Sequence, residues 1–164
     1  MVDLRLKAYG AATAVFALDQ VTKRFIDRYV SNSDTYRVIP GFFDIVRSEN
    51  SGVAFGIFND STSVWRTVAL VVGTFVAVIL ISSLIWRPER LERLSLAGLS
   101  LILGGAAGNL FDRLVWGHVT DFLLFYVGNY QWPDFNAADS AIVIGSALLV
   151  FDLLRAKRQA VNAS

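Results

Sequence analysis

The chain has 164 residues, of which 54% are hydrophobic and 18% are charged, and its mean hydropathy is +0.49. This composition is too apolar for a soluble domain of this length and indicates a membrane protein. The net charge of +1 without a basic block does not favour a nucleic-acid partner, and the lack of cysteine excludes disulfides, thiolate nucleophiles and zinc sites with cysteine ligands.

Four apolar stretches predict four membrane-spanning helices. Residues 8–28 are mostly apolar and, at about 1.5 Å per residue, long enough to cross a hydrocarbon core of about 30 Å. Residues 67–86 carry no charge, residues 94–113 are charged only at their end, and residues 136–154 carry only two aspartates. The first stretch lacks a clean cleavage site, so we expect it to remain in the protein. We predict a single polytopic domain: an all-α membrane protein with a four-helix transmembrane bundle.

The distribution of basic residues predicts the orientation of these helices. They cluster at the two termini and between the second and third spans: Arg5, Lys7, Arg87, Arg90, Arg93, Arg155, Lys157 and Arg158. Under the positive-inside rule these segments face the cytoplasm. The loops at about 29–65 and 114–135 then lie outside, where Tyr130 and Trp132 would sit at the level of the lipid headgroups.

The first outer loop is predicted to contain a small extracytoplasmic β element. Residues 35–39 (TYRVI) and 42–46 (FFDIV) are rich in β-formers and flank the turn sequence Pro40-Gly41. We therefore expect a hairpin at the membrane surface.

Ionisable side chains within a span cost at least about 2.5 kcal/mol to insert, so they mark candidate functional positions. Asp19 and Lys23 are four residues apart on one helix, which favours a mutually neutralising pair. We interpret Asp112 as an interfacial charge and Arg113 as a tie to another outer polar group. Asp152 is interpreted as a surface charge at the cytoplasmic end of the last span.

Glycines and polar residues in the third span predict a close helix contact. Gly104 and Gly108 form a G-x-x-x-G step, which lets two membrane helices approach closely. Asn109, Asp112 and Arg113 follow at positions i, i+3 and i+4, on one helix face. We expect another element of the chain to pack against that face.

Asp121 and Asp139 stand apart because both fall at the predicted outer membrane face without a neighbouring cation in sequence. Two carboxyl groups in a low-dielectric site do not both ionise easily, so one retains a proton while the other stays a base. That arrangement suits an aspartic peptidase. The spacing alone also fits structural hydrogen-bonding roles.

Five short motifs occur in order along the chain: Asp19-Gln20-x-Thr22-Lys23, Asn50-x-Gly52-x-Ala54-Phe55, Gly104-Gly105-x-x-Gly108-Asn109-x-x-Asp112-Arg113, Gly117-x-Val119-x-Asp121-Phe122 and Phe135-Asn136-x-Ala138-Asp139-Ser140. Together they resemble the motif set of the lipoprotein signal peptidases, also called signal peptidase II.

The resemblance implies an aspartic endopeptidase of the bacterial inner membrane with its site near the outer leaflet, in a family that is the target of globomycin. It implies that the substrate is a diacylglyceryl-modified prolipoprotein, cut just before the lipidated cysteine. By motif position, Asp121 and Asp139 correspond to the catalytic pair. The positions expected to bind substrate or support the site are Asp19, Lys23, Asn50, Gly52, Gly108, Asn109, Arg113, Asn136 and Ala138. The expected partners are this substrate and membrane lipid, and we expect a monomer without metal or other cofactor.

Two further hypotheses concern the outer loops. The sheet and residues 52–58 are expected to cradle the substrate over the two aspartates, with Phe55 and Phe58 dipping into the interface. Gly117 and Gly128 suggest that the other outer loop acts as a movable flap.

Two other functions are compatible with the residues. In a small transporter or lipid-binding subunit, Asp19, Lys23, Asp121 and Asp139 would form a proton or ion path. In a serine peptidase, Lys23 would activate a hydroxyl such as that of Ser51.

Overall fold

A computed structural model describes residues 3–51 and 64–162 of the chain. The described helices and strands are, in chain order, α1 (Leu4–Tyr29), β1 (Thr35–Ile39), β2 (Phe43–Asn50), α2 (Val64–Ile85), a 3-10 turn (Pro88–Arg90), α3 (Arg93–Val115), β3 (Val119–Val127), β4 (Tyr130–Gln131) and α4 (Ala137–Asn162). The chain is therefore mostly helical, with one small sheet.

Three of the described helices are long and apolar enough to cross a membrane. They comprise Thr67–Ile85, Arg93–Val115 and Ala137–Gln159. Helix α1 has 26 residues but does not meet the same criterion of composition, because charged side chains occupy much of its second half. The prediction of a helical membrane protein is confirmed for three such helices, and the fourth span remains a prediction.

Helix α3 forms the centre of the bundle and packs against each of the other three helices. Its leucines at positions 96, 99 and 103 are buried together with Ala8 and Ala12 of α1 and Ile85 of α2. Because α3 packs against α1 and α4 more extensively than these two pack against each other, it fixes their relative positions.

Glycines allow the backbone of α3 to lie very close to its neighbouring helices. A Cβ atom on Gly104 would lie 2.5 Å from the carbonyl oxygen of Ala12, and one on Gly108 would collide with the side chain of Asp19. Both glycines thus face α1, which confirms the close contact predicted from the G-x-x-x-G step. On the other side of α3, a Cβ atom on Gly98 would lie 2.7 Å from the carbonyl oxygen of Gly145 in α4.

The sheet is antiparallel in the order β1-β2-β3-β4. The hairpin β1-β2 turns at Gly41, which has a φ of +80° that glycine adopts at little cost. This hairpin confirms the predicted small β element.

The sequence had indicated only an outer loop where β3 and β4 lie. Strand β3 pairs with β2 so that Asp121 stands opposite Ser48, and Gly128, with a φ of +60°, lies in the turn to β4. The first part of β3 is buried on both faces, so it lacks the alternation of polar and apolar residues that marks a half-exposed strand.

The prediction that Asp152 is a surface charge requires correction. Asp152 is half-buried and accepts a hydrogen bond from the Ser95 hydroxyl, so it is not simply a surface charge. The reason is that α4 packs along α3, which brings the start of α3 beside the second half of α4.

Candidate active site

Asp121 lies in β3 with its side chain enclosed by amides. Its residue is only 3% exposed. The Asn136 side-chain amide donates to Asp121 Oδ1 at 2.6 Å, and the Asn50 side-chain amide donates to Oδ2 at 3.0 Å. Both carboxyl oxygens therefore have an N–H donor.

Asp139 lies in the first turn of α4 and is held by Asn136. The Asn136 side-chain oxygen accepts from the Asp139 backbone N–H at 3.0 Å, and the Asn136 backbone N–H donates to Asp139 Oδ2 at 3.2 Å. This reciprocal pair is a capping box, in which two otherwise unpaired N–H groups at a helix start are satisfied. The helix N-terminus also favours a negative charge at this position.

Asn109 of α3 completes the link between the two carboxyl groups. Its amide donates to Asp139 Oδ1 at 2.7 Å, while its oxygen accepts from the Asn136 amide at 3.3 Å. Asn136 thus contacts both Asp121 and Asp139, and Asn109 contacts Asn136 and Asp139. The structure brings the two predicted aspartates into one hydrogen-bond network.

A buried ammonium group lies behind this network. Lys23 Nζ donates to Asp19 Oδ2 at 2.8 Å, to Asp112 Oδ2 at 2.6 Å and to Asn109 Oδ1 at 2.8 Å. Lys23, Asp19 and Asp112 are all 0% exposed. All three ammonium protons therefore have acceptors, as a buried charge requires. The predicted Asp19–Lys23 pair is confirmed.

The interpretation of Asp112 as an interfacial charge is wrong. Its other oxygen, Oδ1, accepts from the Gln20 amide at 3.1 Å and from Arg24 Nη2 at 3.1 Å. Asp112 faces α1 because it follows Asn109 by three residues on the same helix face. Arg24 was not predicted to contribute, although its position four residues after Gln20 places both on one side of α1.

Asp19 connects the buried charges to the start of α4. Its Oδ1 accepts from the Ala138 backbone N–H at 3.0 Å. Gly108 contacts the Asp19 carboxyl directly, so there is no space for a side chain at position 108. Gly108 and Ala138, both predicted to support the site, therefore lie against the same carboxylate.

Arg113 supplies a cation on the side of the two aspartates. Its Nη1 donates to the Asn109 carbonyl oxygen at 3.2 Å, and its charge acts on both Asp139 and Asp121. Its Nε is buried and has no hydrogen-bond partner within residues 3–51 and 64–162. Its hydrogen bond goes to the backbone of its own helix, so the expected tie of Arg113 to another outer polar group stays a prediction.

Burial raises the pKa of Asp121 to about 6, and the nearby Asp139 charge acts in the same direction. The hydrogen bonds from Asn50 and Asn136 oppose this increase because they stabilise the charged form. A carboxyl group with such a pKa is able to hold or release a proton near neutral pH.

Gly52 and the segment 52–58, including Phe55 and Phe58, lie outside the described residues. Among the residues that are described, no three His, Cys, Asp or Glu side chains are placed to hold one metal ion.

The chain matches the family model described as signal peptidase (SPase) II over residues 11–155. A lipoprotein signal peptidase of Solibacter usitatus (strain Ellin6076) is 63% identical over 164 residues, covering 100% of both chains. One from Paraburkholderia phymatum is 42% identical over 151 residues, which cover 92% of this chain and 89% of the relative. A solved structure described as a bacterial membrane enzyme, determined by the in meso method at 2.3 Å resolution, has a TM-score of 0.80 and 31% identity, covering 91% of this chain and 88% of its own.

Proposed function

This chain belongs to the signal peptidase II family, a group of membrane peptidases that process lipoproteins, and we propose that it cleaves prolipoproteins with an aspartic dyad formed by Asp121 and Asp139. The observation that supports the dyad most strongly is the double contact of Asn136. One asparagine donates to a carboxyl oxygen of each aspartate. The two acidic groups are thereby held in one site although they come from a strand and a helix.

The proposed reaction uses one proton shared by the dyad. We assign this proton to Asp121, whose pKa is raised to about 6, and the role of base to Asp139. Asp139 accepts a proton from water as the water oxygen attacks the scissile carbonyl carbon, and Asp121 donates its proton to the carbonyl oxygen. Asp139 then protonates the amide nitrogen, the C–N bond breaks, and Asp121 recovers the proton as the carboxyl product forms.

The surrounding residues have positioning roles in this proposal. Asn109 and Asn136 hold the carboxyl groups, and Lys23 holds Asn109 through its oxygen. Arg113 provides positive charge beside the dyad, where negative charge develops during attack on the carbonyl. Asn50 keeps the second oxygen of Asp121 in place.

Helix α1 is proposed as the fourth membrane span. Its ionisable residues Asp19 and Lys23 face α3 and are fully buried, whereas Leu18, Val21 and Phe25 are 61%, 67% and 60% exposed. An apolar outer side with inward-facing charges is the arrangement expected in lipid. We propose that both termini face the cytoplasm and that the dyad lies near the outer leaflet, in a monomer.

The proposed substrate is a prolipoprotein that carries diacylglycerol on the cysteine following the scissile bond. Its signal helix and acyl chains are themselves embedded in the membrane. Apolar helix surfaces can therefore bind them while the aspartates reach the peptide bond at the rim of the bilayer.

The two other functions find less support. A lysine that activates a serine must have a free amine, whereas Lys23 donates to three acceptors, two of them carboxylates. A proton or ion path through Asp19 would need access to water, but Asp19, Lys23 and Asp112 are completely buried.

The decisive experiment is cleavage of a purified diacylated prolipoprotein by the wild type and by Asp121→Asn and Asp139→Asn. Each substitution keeps the size of the side chain and removes the acid–base group, so we expect each to lower the rate at least about a hundredfold. Asp152→Asn, on the same helix as Asp139, is the matched control and should cleave normally. Full cleavage by either dyad variant would disprove the aspartic mechanism. So would a result in which Ser51→Ala abolished cleavage and Asp121→Asn did not.

A further inference from the structure

Asp27, near the C-terminal end of α1, lies where this helix meets two strands of the sheet, and the family motifs do not include it. Its Oδ1 accepts from the Thr120 hydroxyl of β3 at 2.9 Å. Its backbone carbonyl oxygen accepts from Arg47 Nη1 of β2 at 3.3 Å, and Arg47 Nε lies 3.6 Å from Asp27 Oδ1. A single residue of α1 therefore holds both β2 and β3.

Thr120 directly precedes Asp121 in β3 and is only 1% exposed. Because successive side chains of a strand point to opposite faces, Thr120 and Asp121 project from opposite sides of β3. The amides of Asn50 and Asn136 hold the front of the strand at Asp121, and Thr120 is held at the back. A rotation of β3 about its own axis that displaced the Asp121 carboxyl group would therefore lengthen the hydrogen bond between Thr120 and Asp27.

The pairing of β2 with β3 is irregular at this point. Ile45 pairs with Leu123 and Ser48 pairs with Asp121, so two residues of β2 stand against one residue of β3. Such a bulge interrupts the ladder of backbone hydrogen bonds and can redirect a side chain. Arg47 is one of the two residues in the bulge, and its side chain reaches α1. The part of β3 that carries Asp121 is thus separated by the bulge from the regular ladder, and contacts with α1 restrain it.

Two arginines hold the Asp27 carboxylate in a fixed orientation. Arg24 Nη1 lies 2.9 Å from Asp27 Oδ2, and Arg24 Nη2 donates to Asp112 of α3 at 3.1 Å. Arg47 lies beside the other oxygen, Oδ1. Charged hydrogen bonds of this kind are strong and directional. Asp27 therefore has little freedom to follow Thr120 if β3 rotates.

Apolar side chains also join α1 to β3. Ile26 and Val30 of α1 are buried with Phe122 of β3. Burial of apolar surface is non-directional, so this contact stabilises the packing of β3 on α1 without fixing its rotation. A hydrogen bond, in contrast, has a preferred distance and angle. The bond between Thr120 and Asp27 is therefore the contact that sets the orientation of this part of β3.

We propose that Asp27 is a positioning residue for the dyad and that it orients Asp121 by accepting the hydrogen bond from Thr120. This inference rests on the proposed function of Asp121. A catalytic group must be held within about 0.5 Å of its productive position, and a displacement of about 1 Å costs about a hundredfold in rate. The two asparagines still hold Asp121 when the Thr120 bond is lost, so the expected cost is smaller, about tenfold in kcat.

The test is the kinetics of prolipoprotein cleavage by Thr120→Val, which removes the hydroxyl group at nearly constant size and keeps a good strand-forming residue. We expect kcat to fall about tenfold at an unchanged KM, because the Thr120 side chain points away from the dyad. Thr120→Ser keeps the hydroxyl group and should have a kcat near that of the wild type. Thr35→Val makes the same change at an exposed position of β1 and should cleave normally.

Val30→Ala distinguishes positioning from a general loss of stability. It weakens the apolar contact between α1 and β3 without touching the hydrogen bond. Its unfolding temperature in detergent should fall at least as far as that of Thr120→Val, whereas its kcat should remain at the wild-type value. Equal losses of kcat in the two variants would show that kcat follows stability and would overturn the proposal. An unchanged kcat in Thr120→Val would overturn it as well.

A double-mutant cycle tests whether Thr120 acts through Asp27. Asp27→Ala should lower kcat at least as much as Thr120→Val, because it also releases Arg47. Addition of Thr120→Val to Asp27→Ala should have no further effect on kcat, since the hydrogen bond is already absent. Multiplying effects would show that the Thr120 hydroxyl acts elsewhere and would refute the role of Asp27. If Asp27→Ala does not fold, the comparison of Thr120→Val with Thr120→Ser still decides the question.

Failure of the proposed dyad is recognised separately in the same assay. Cleavage by Asp121→Asn at the wild-type rate would disprove the dyad, whatever the Thr120 variants do. An inactive Asp121→Asn together with a fully active Thr120→Val would refute only the positioning role of Asp27.

Discussion

Asn136 and Asp139 exchange hydrogen bonds across the first turn of α4, so the helix cap and the acidic site are the same structure. The residue that caps the helix also donates to Asp121. A disturbance of the helix start is therefore transmitted to both carboxyl groups. This relationship explains how a strand and a helix bring two carboxyl groups into one site, as the proposed dyad requires.

Substitution of Asn136 should separate capping from the support of the dyad. Asn136→Ala loses both roles, and we expect a loss of about 1 kcal/mol in the free energy of unfolding together with a fall in kcat of about a hundredfold. Asn136→Ser keeps a capping oxygen but lacks the amide that reaches Asp121, so it should be more stable than Asn136→Ala while kcat remains low. Thermal unfolding in detergent and prolipoprotein cleavage measure the two effects. A Ser variant with normal kcat would show that the amide is not needed.

Replacement of Lys23 should destabilise the protein strongly. Lys23→Met leaves Asp19 and Asp112 buried without their shared ammonium group, and removal of one partner from a buried ion pair costs about 3–5 kcal/mol. Lys7→Met, at an exposed position of the same helix, is the control and should have little effect.

A second substitution tests the cause of that loss. Asp112 retains its ion pair with Arg24 in Lys23→Met, whereas Asp19 retains no cation. Adding Asp19→Asn should therefore restore part of the stability, as measured by unfolding in detergent. If the double variant were less stable than Lys23→Met, the uncompensated charge of Asp19 would not be the cause.

The length and composition of the apolar stretches were sufficient to predict the four long helices, three of which are long and apolar enough to cross a membrane. The hairpin around Gly41 was also predictable, since a positive φ and flanking β-formers leave a local signal. Strand β3 was not predictable from the same rules. The residues in its first part are buried on both faces by contacts with other segments, and such burial leaves no alternating pattern in the sequence.

The candidate active site was likewise predictable from the sequence only in part. The motifs indicated Asp121 and Asp139, but local spacing did not reveal that Asn136 joins them. Asp112 was misinterpreted because its partners Gln20 and Arg24 lie on another helix, about 90 residues away in sequence. Side-chain partners contributed by distant helices depend on packing, which the sequence near Asp112 does not specify.

The close contact between α3 and α4 should make Gly145 intolerant of a methyl group. A Cβ atom at Gly145 would lie 2.5 Å from the Gly98 carbonyl oxygen, and overpacking of this kind costs about 1–3 kcal/mol. Gly73→Ala, in α2, has no atom within 4 Å of the added methyl and should be neutral or stabilising by about 0.5–1 kcal/mol. Unfolding of both variants by titration with denaturing detergent measures the difference. Equal free energies of unfolding for Gly145→Ala and Gly73→Ala would contradict the close contact between α3 and α4.

The raised pKa of Asp121 predicts a specific pH dependence of stability. An unfolded carboxyl group titrates near 3.8, whereas that of folded Asp121 titrates near 6, so between these values the folded state binds a proton that the unfolded state has released. The stabilising contribution of this group is complete below about pH 4 and is lost as the pH rises through about 6, by about 3 kcal/mol in total. Asp121→Asn removes the titration, so its free energy of unfolding relative to the wild type should increase from pH 4 to pH 7 and then level off. Glu89→Gln, at an exposed acidic residue, controls for the loss of one carboxyl group and should show no such trend. A constant difference between Asp121→Asn and the wild type over this range would contradict the raised pKa and, with it, the assignment of the shared proton to Asp121.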